Sequence, residues 1–299
     1  MKKTWKIAVI GLDTSHSVEM PKLMQDPSVP ADKRVDGMKA VRCLRFDTPF
    51  QGTKGLDERQ AYMESIGVKV TEDFDEAVKS VDALMLEIND PAYHLAYFEK
   101  CAALGKPIFL DKPFADTVEN ALRILSIARE KGTRFFTASP LRFDDDMVEL
   151  AKGRQAPKSA TVYAPVGKAF AGSSIVWYGV HAFEILELIM GQGAATVTTL
   201  ADHDGYVCLV AYHDGRRGVV ELTKNNWNYG AFISDPSETV FRPVSRKVSM
   251  YKRTLEAVRA FFNGKYDGVP HEESLEIMAM LEAAERSAAT GRPEPVYLA

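Results

Sequence analysis

Short apolar runs alternate with amphipathic stretches through the first 140 residues. Ile7-Ala8-Val9-Ile10 is an unbroken apolar run that ends at Gly11 and passes into Asp13-Thr14-Ser15-His16-Ser17, a segment dense in helix N-capping residues. It reads as strand, turn, helix. Further strands are predicted over 40–46, 68–70, 83–88, 107–110 and 134–137, and helices over 74–80, 92–104 and 117–131. The polar, proline-containing stretch 25–39 reads as an inserted loop. Parallel neighbours need crossover connections, so six strands alternating with helices imply a parallel sheet covered on both faces. Residues 1–140 are therefore expected to form a doubly wound, Rossmann-type dinucleotide-binding domain.

The texture changes after Ser139-Pro140. Strands are predicted over 160–163, 196–200, 206–212 and 218–223, with His213-Asp214-Gly215 as a hairpin signal between the last two. One strongly apolar helix, 180–190, closes at Gly191, and helices over 255–262 and 274–289 follow. Residues 141–299 read as an α+β domain. The fold class is thus α/β, an N-terminal Rossmann-type parallel sheet followed by an α+β domain with a largely antiparallel sheet.

Composition narrows the partners. A chain of 299 residues corresponds to about two domains at roughly 150 residues each. Acidic residues exceed basic ones, 41 against 37, for a net charge of −4, and no basic block is present. That excludes a nucleic-acid footprint. No run approaches the ~20 apolar residues that cross a bilayer. Lys2 and Lys3 imitate the start of a signal peptide, but Lys6 and the shortness of 7–10 interrupt the imitation. Cys43, Cys101 and Cys208 lie far apart with no metal-ligand spacing. The expectation is a cytoplasmic protein with no membrane partner.

The candidate chemistry starts at the first strand–helix turn. The three places of a G-x-G-x-x-G phosphate-binding pattern are taken by Gly11, Asp13 and His16, so one glycine of three is present. A carboxylate about 4 Å from a pyrophosphate charge costs about 4 kcal/mol at an effective dielectric near 20, unless Asp13 turns away to cap the helix. Thr14 and Ser15 offer hydroxyls and amides. The same residues also suit a capped helix with no ligand. Asp47, after the second strand, reads either as an acceptor for an adenosine ribose or as a turn aspartate. Asp144, Asp145 and Asp146 are consecutive, diverge in direction and read as a helix start, so no metal site is assigned.

The run Pro91-Ala92-Tyr93-His94, followed by Leu104-Gly105-Lys106-Pro107-Ile108-Phe109-Leu110-Asp111-Lys112-Pro113-Phe114-Ala115, resembles the Gfo/Idh/MocA oxidoreductases. These typically carry a histidine at this helix, then A-G-K-P, a hydrophobic strand and E-K-P. Here Asp111 replaces the glutamate. Trp177-Tyr178-Gly179-Val180-His181-Ala182-Phe183-Glu184 is similar to the family's G-x-H-x-x-D helix, with Glu184 for Asp and Trp177 where an Asp is common. Ser139-Pro140-Leu141-Arg142-Phe143 resembles the junction between the halves.

The resemblance implies NAD or NADP as cofactor and hydride transfer to or from a sugar, cyclitol or related polyol. It makes Lys112, His181 and Glu184 the catalytic set. Gly11, Asp13, Thr14, Ser15, His16, Asp47, Asn89, His94, Asp111 and Lys112 become cofactor contacts. Lys112, Arg142, Trp177, Tyr178 and His181 become substrate contacts, with an ion pair from Arg142 to Asp144–Asp146 as the other reading of that arginine. His181 and Glu184, three apart, share a helix face, which lets the carboxylate set the imidazole. Asn225, Asn226, Trp227 and Tyr229 suit a sugar pocket or a subunit contact. The resemblance also implies an open-faced second sheet and a homodimer or homotetramer. Two alternatives stay open: a ligand-binding or regulatory protein that no longer dehydrogenates, and an enzyme that uses NAD transiently for elimination or hydrolysis.

Overall fold

The computed structural model describes residues 4–153, 157–236, 238–245 and 248–297; Lys2 and Lys3 lie outside these. The chain folds into two compact units. The first comprises Met1–Ala115, Leu122–Thr137 and Tyr251–Val269, the second Asp116–Ala121, Ala138–Met250 and Pro270–Ala299. No helix among the described residues is long and apolar enough to cross a membrane.

The first unit is built on a six-stranded parallel sheet in the order β3-β2-β1-β4-β5-β6. Its strands are β1 Trp5–Ile10, β2 Met38–Leu44, β3 Lys69–Thr71, β4 Ala83–Leu86, β5 Ile108–Asp111 and β6 Phe135–Ala138. β1 pairs parallel with β2 on one side and β4 on the other. Strand order therefore reverses between β1 and β4, and the carboxyl ends at that reversal are where such sheets bind ligands. The helices are α1 His16–Gln25, α2 Thr53–Ser65, α3 Phe74–Ala77, α4 His94–Ala102 and α5 Val118–Lys131.

α2 has no counterpart in the apolar pattern, because only Leu56 and Met63 of its thirteen residues are buried and Gly55 sits in its first turn. Two apolar positions seven apart are too few to show a helical period. In the predicted loop 25–39, a 3₁₀ turn covers Ala31–Lys33 and β2 begins at Met38. The helix near the chain's end, α8 Met250–Phe262, returns to the first unit. Phe261 packs edge-on to Phe136 at 5.0 Å, and the Arg134 guanidinium lies over its ring at 4.7 Å.

The second unit holds a seven-stranded sheet in the order β12-β11-β7-β10-β9-β8-β13. Its strands are β7 Ser159–Pro165, β8 Ala194–Ala201, β9 Gly205–Tyr212, β10 Arg217–Thr223, β11 Gly230–Ser234, β12 Thr239–Pro243 and β13 Glu294–Pro295. β7 and β10 are parallel and the other pairs antiparallel, so the sheet is largely antiparallel, as predicted. β9 and β10 meet in the predicted hairpin, where Gly215 takes φ +85°. On β9, Cys208, Val210 and Tyr212 are buried while Val207, Leu209 and Ala211 face out. That period-two split marks a sheet covered on one side. The unit's helices are α6 Asp145–Ala151, α7 Val180–Met190, preceded by a π-helical turn Ile175–Gly179, and α9 His271–Thr290.

Candidate functional site

In the first unit the sequence-predicted residues gather at the ends of β1, β4 and β5. Gly11 takes φ +105°, and a Cβ there would run into the backbone carbonyl of Glu87. The turn can close onto β4 only with glycine at this place. Asp13 is buried and turns inward: its Oδ1 accepts from the Asn89 amide at 2.9 Å and its Oδ2 from the Thr48 hydroxyl at 2.8 Å. It does not cap α1. Burial raises its pKa, against the pull of those two donors. Thr14 Oγ1 accepts from the His16 amide and the Thr14 carbonyl from the Ser17 hydroxyl. Ser15 heads α1 and is exposed, with no cap bond from its side chain. The outer edge of the turn is thus a helix N-terminus with a serine, and its one carboxylate is withdrawn.

His16, the third glycine place, sends Nδ1 to Asp111 Oδ2 at 2.7 Å and packs edge-on to Tyr251 at 5.0 Å. Asp111 is fully buried at the end of β5. Burial alone would raise its pKa, but His16 and Lys112 outweigh it and hold the carboxyl below the usual range. Lys112 is buried too. Burial lowers its pKa, opposed by Asp111, Asp13 and Glu87. His94 has its ring between the carbonyls of Ile88 at 2.8 Å and Phe114 at 3.3 Å, tying the end of β4 to the segment after β5. Asn89 is half-buried against Asp13, and Asp47 is exposed beyond β2. Arg45 is engaged with Asp57 at 2.7 Å and Gln60 at 2.8 Å on α2.

Glu87 was not singled out from the sequence. It follows β4 with no exposure, and burial and the nearby Asp111 push its pKa well above the ordinary carboxylate range. The signal was present: a charge that closes an otherwise unbroken apolar run of a central parallel strand has to sit at the strand's end.

In the second unit the candidates gather on α7. His181 is buried, and its Nδ1 is 2.6 Å from Ser139 Oγ. Ser139 also gives its amide to Glu184 Oε1 at 3.0 Å, and its Oγ accepts from the Leu141 amide at 3.2 Å. Glu184 is thus joined to His181 through Ser139, whose role the sequence had not disclosed. The second oxygen of Glu184 pairs with Arg142 at 3.4 Å, and Arg142 also pairs with Glu273. Arg142 therefore binds these two glutamates, not the neighbouring aspartates. Burial would lower its pKa, but the surrounding glutamates raise it. Asp144 instead caps α6 by accepting from the Asp146 and Met147 amides.

Around His181 stand aromatic rings. Tyr178 lies edge-on at 5.2 Å and Tyr229 at 6.2 Å, and Trp227 stands edge-on to Tyr178 at 5.9 Å. The Tyr229 hydroxyl donates to the Tyr178 hydroxyl at 3.3 Å. Asn226 is bonded to the Tyr163 hydroxyl, and Asn225 has φ +59°. Trp177 is half-buried, tilted against Tyr178 at 5.2 Å and close over Gly167.

Residues 46–139 match the family described as an oxidoreductase family with an NAD-binding Rossmann fold, Gfo/Idh/MocA. No curated protein sequence matches the chain at a significant level. Among solved structures, myo-inositol dehydrogenase from Lactobacillus casei, in complex with NAD(H) and myo-inositol, is 13% identical and superposes with a TM-score of 0.80, covering 99% of this chain and 98% of its own. The apo scyllo-inositol dehydrogenase of the same organism gives 0.78 at 15% identity, covering 99% of each chain. An oxidoreductase from Agrobacterium radiobacter, bound to NAD+, L-tartaric acid and magnesium, gives 0.73 at 17% identity over 98% and 99%. At such identities the shared property is the fold. Residues 46–139 thus match the Gfo/Idh/MocA oxidoreductase family with its NAD-binding Rossmann fold, and the two-sheet architecture matches the fold of these dehydrogenases from end to end.

Proposed function

We propose that the protein is an NAD(P)-dependent dehydrogenase of a sugar, cyclitol or related polyol, with His181 as its acid/base. The observation that carries this is the Ser139–His181–Glu184–Arg142 network, a buried imidazole held by a hydrogen-bonded polar frame, with Tyr178 and Tyr229 edge-on to it and Trp227 edge-on to Tyr178. Aromatic faces suit the C–H faces of a polyol ring, while a positioned imidazole suits its hydroxyl.

A dinucleotide fits the first unit: the exposed start of α1 offers a positive dipole end, Asp13 is turned inward, and Asp47 stands exposed past β2. Gly11, Thr14, Ser15, Asp47, Asn89 and Lys112 would hold it, while His16, Asp111 and His94 support the strand ends from within. When bound, the nicotinamide supplies or accepts the hydride. Lys112 would bring a positive charge to the ligand held by the first unit, and His181 would exchange a proton with a polyol hydroxyl at Nε2. The Ser139 hydroxyl serves both protonation states of the ring, donating to Nδ1 in one and accepting from it in the other. Glu184, neutralised by Arg142, fixes Ser139 through its amide.

The same reading gives a small sugar-like substrate, a homodimer or homotetramer, and a reducing, cytoplasmic setting in which the buried thiols of Cys43, Cys101 and Cys208 stay free. The test is direct. Purified protein is titrated with NAD+, NADH, NADP+ and NADPH, then assayed on a polyol and cyclitol panel. Binding of one cofactor pair, turnover of a polyol, and a loss of about 10²–10⁴-fold in His181→Asn are expected. No cofactor binding and no turnover overturn the reading. Cofactor binding without turnover selects a second reading, a ligand-binding protein, which one feature favours: two places of the phosphate-binding pattern are filled by Asp13 and His16, whose side chains are committed inside the protein.

A further inference from the structure

We propose that His16, Glu87 and Asp111 form a binding site for one divalent transition-metal cation at the carboxyl ends of β1, β4 and β5. Each residue offers one donor atom, and these atoms all lie within 4.8 Å of one another. The three arrive from distant parts of the sequence. The strand order alone makes β1, β4 and β5 neighbours, so that the residue opening α1, the residue just after β4 and the last residue of β5 meet.

Burial and missing partners give the second, independent observation. Glu87 and Asp111 have no exposed surface and His16 is 7% exposed. Neither carboxylate oxygen of Glu87, nor Oδ1 of Asp111, has a hydrogen-bond partner among the described residues. Three buried carboxylate oxygens left without a donor are costly unless a proton or a cation lies among them, and only a cation engages all three together with the His16 nitrogen. The Lys112 amine does not balance the cluster, since its single charge is drawn towards Asp111, Asp13 and Glu87 together.

The donor set selects the cation. One imidazole nitrogen with two carboxylate oxygens suits Zn2+, Mn2+ or Fe2+, whereas Mg2+ and Ca2+ favour oxygen alone. The His16 ring is braced by Tyr251, and the Asp111 carbonyl accepts from the Thr137 hydroxyl at 3.4 Å, which keeps both ligands in place.

The experiment uses the whole protein, stripped with a chelator and dialysed, then titrated calorimetrically with Zn2+, Mn2+ and Mg2+. Metal content and thermal unfolding are measured alongside, so the outcome does not depend on any enzymatic activity. One equivalent of Zn2+ or Mn2+ per chain, a Tm raised by the metal, and weak or no response to Mg2+ are expected. Glu87→Gln keeps the shape and removes the charge. It should fold with a Tm at or above that of the stripped protein while binding at least about tenfold more weakly. The absence of stoichiometric binding by Zn2+ and Mn2+ overturns the proposal. So does wild-type affinity in both Glu87→Gln and His16→Asn, which would put the bound metal elsewhere.

Discussion

Gly11 is the residue on which the first turn depends. Its φ of +105° is strained for any side chain, and the space a Cβ needs is held by the Glu87 carbonyl, a backbone atom that cannot swing aside. Gly11→Ala should therefore destabilise by about 1–3 kcal/mol from backbone strain alone, with the clash added, and should displace Glu87 from its position beside His16. Thermal unfolding checks this, and an unchanged Tm contradicts it. Gly52, by contrast, has open space around its Cα and no positive φ, so Gly52→Ala serves as the control and should leave Tm nearly unaltered. The need for Gly11 was legible in the sequence, because an apolar strand that ends in glycine just before a capping segment marks a turn too tight for a side chain. The destinations of Asp13 and His16 were not. Both fill glycine places, but their partners Asn89, Thr48 and Asp111 come from other strand ends and loops, and no local pattern records such pairings. Ser139 was hidden for a similar reason: it reads as a turn residue until the fold brings α7 alongside.

Among the elements, α7 is the most informative, being apolar nearly all round and yet carrying two buried glutamates. Glu184 is compensated by Arg142 and the Ser139 amide. Glu187 is not, since neither of its oxygens has a hydrogen-bond partner among the described residues. Burial pushes its pKa up to about 8, with Glu276, Glu273 and Glu184 adding to the shift and Arg142 opposing it. In the folded protein it is therefore protonated at neutral pH, while in the unfolded chain it ionises near 4.3. Between about pH 4.5 and 8 the unfolded state gives up this proton first, so stability falls across that window and levels off above it. Glu187→Gln should abolish that part of the slope and gain on the order of 2–4 kcal/mol at pH 8, with little effect at pH 4.5. Parallel unfolding curves at both pH values decide it; equal gains at the two would assign the effect to packing instead. Element by element, legibility followed burial. β4 and β5 are wholly buried, α7 almost wholly and β1 over its last four residues, and all four were plain as apolar runs. α2 and β12 are mostly exposed, and β11, though mostly buried, is only five residues long and opens on glycine; their conformation comes from neighbours more than from their own pattern.

For the whole molecule, the consequential surface is the uncovered side of the seven-stranded sheet. Register places Leu209 of β9 opposite Val219 of β10, Val219 opposite Thr161 of β7, Thr161 opposite Phe232 of β11, and Phe232 opposite Phe241 of β12. One row of side chains thus crosses five strands, and it is apolar apart from the threonine. Leu200 and Val207 lie in the adjoining row, paired across β8 and β9. Leu200 is 70% exposed and Phe241 61%, with Val207, Leu209 and Phe232 at 39% each. A contiguous apolar face of this kind, on strands that alternate cleanly towards a buried side, is stabilised by covering it with protein, and a second copy presents the same rows. The chain should then run as a dimer or larger in light scattering coupled to gel filtration. Leu209→Asp combined with Phe232→Asp should shift it towards the monomer. Both side chains leave from the outer face, so each protomer should keep its fold and its circular dichroism, although Tm falls as the protecting contact is lost. A wild-type protein that is monomeric at high micromolar concentration would refute the assignment of this face. A double variant that stays oligomeric would move the interface to another surface.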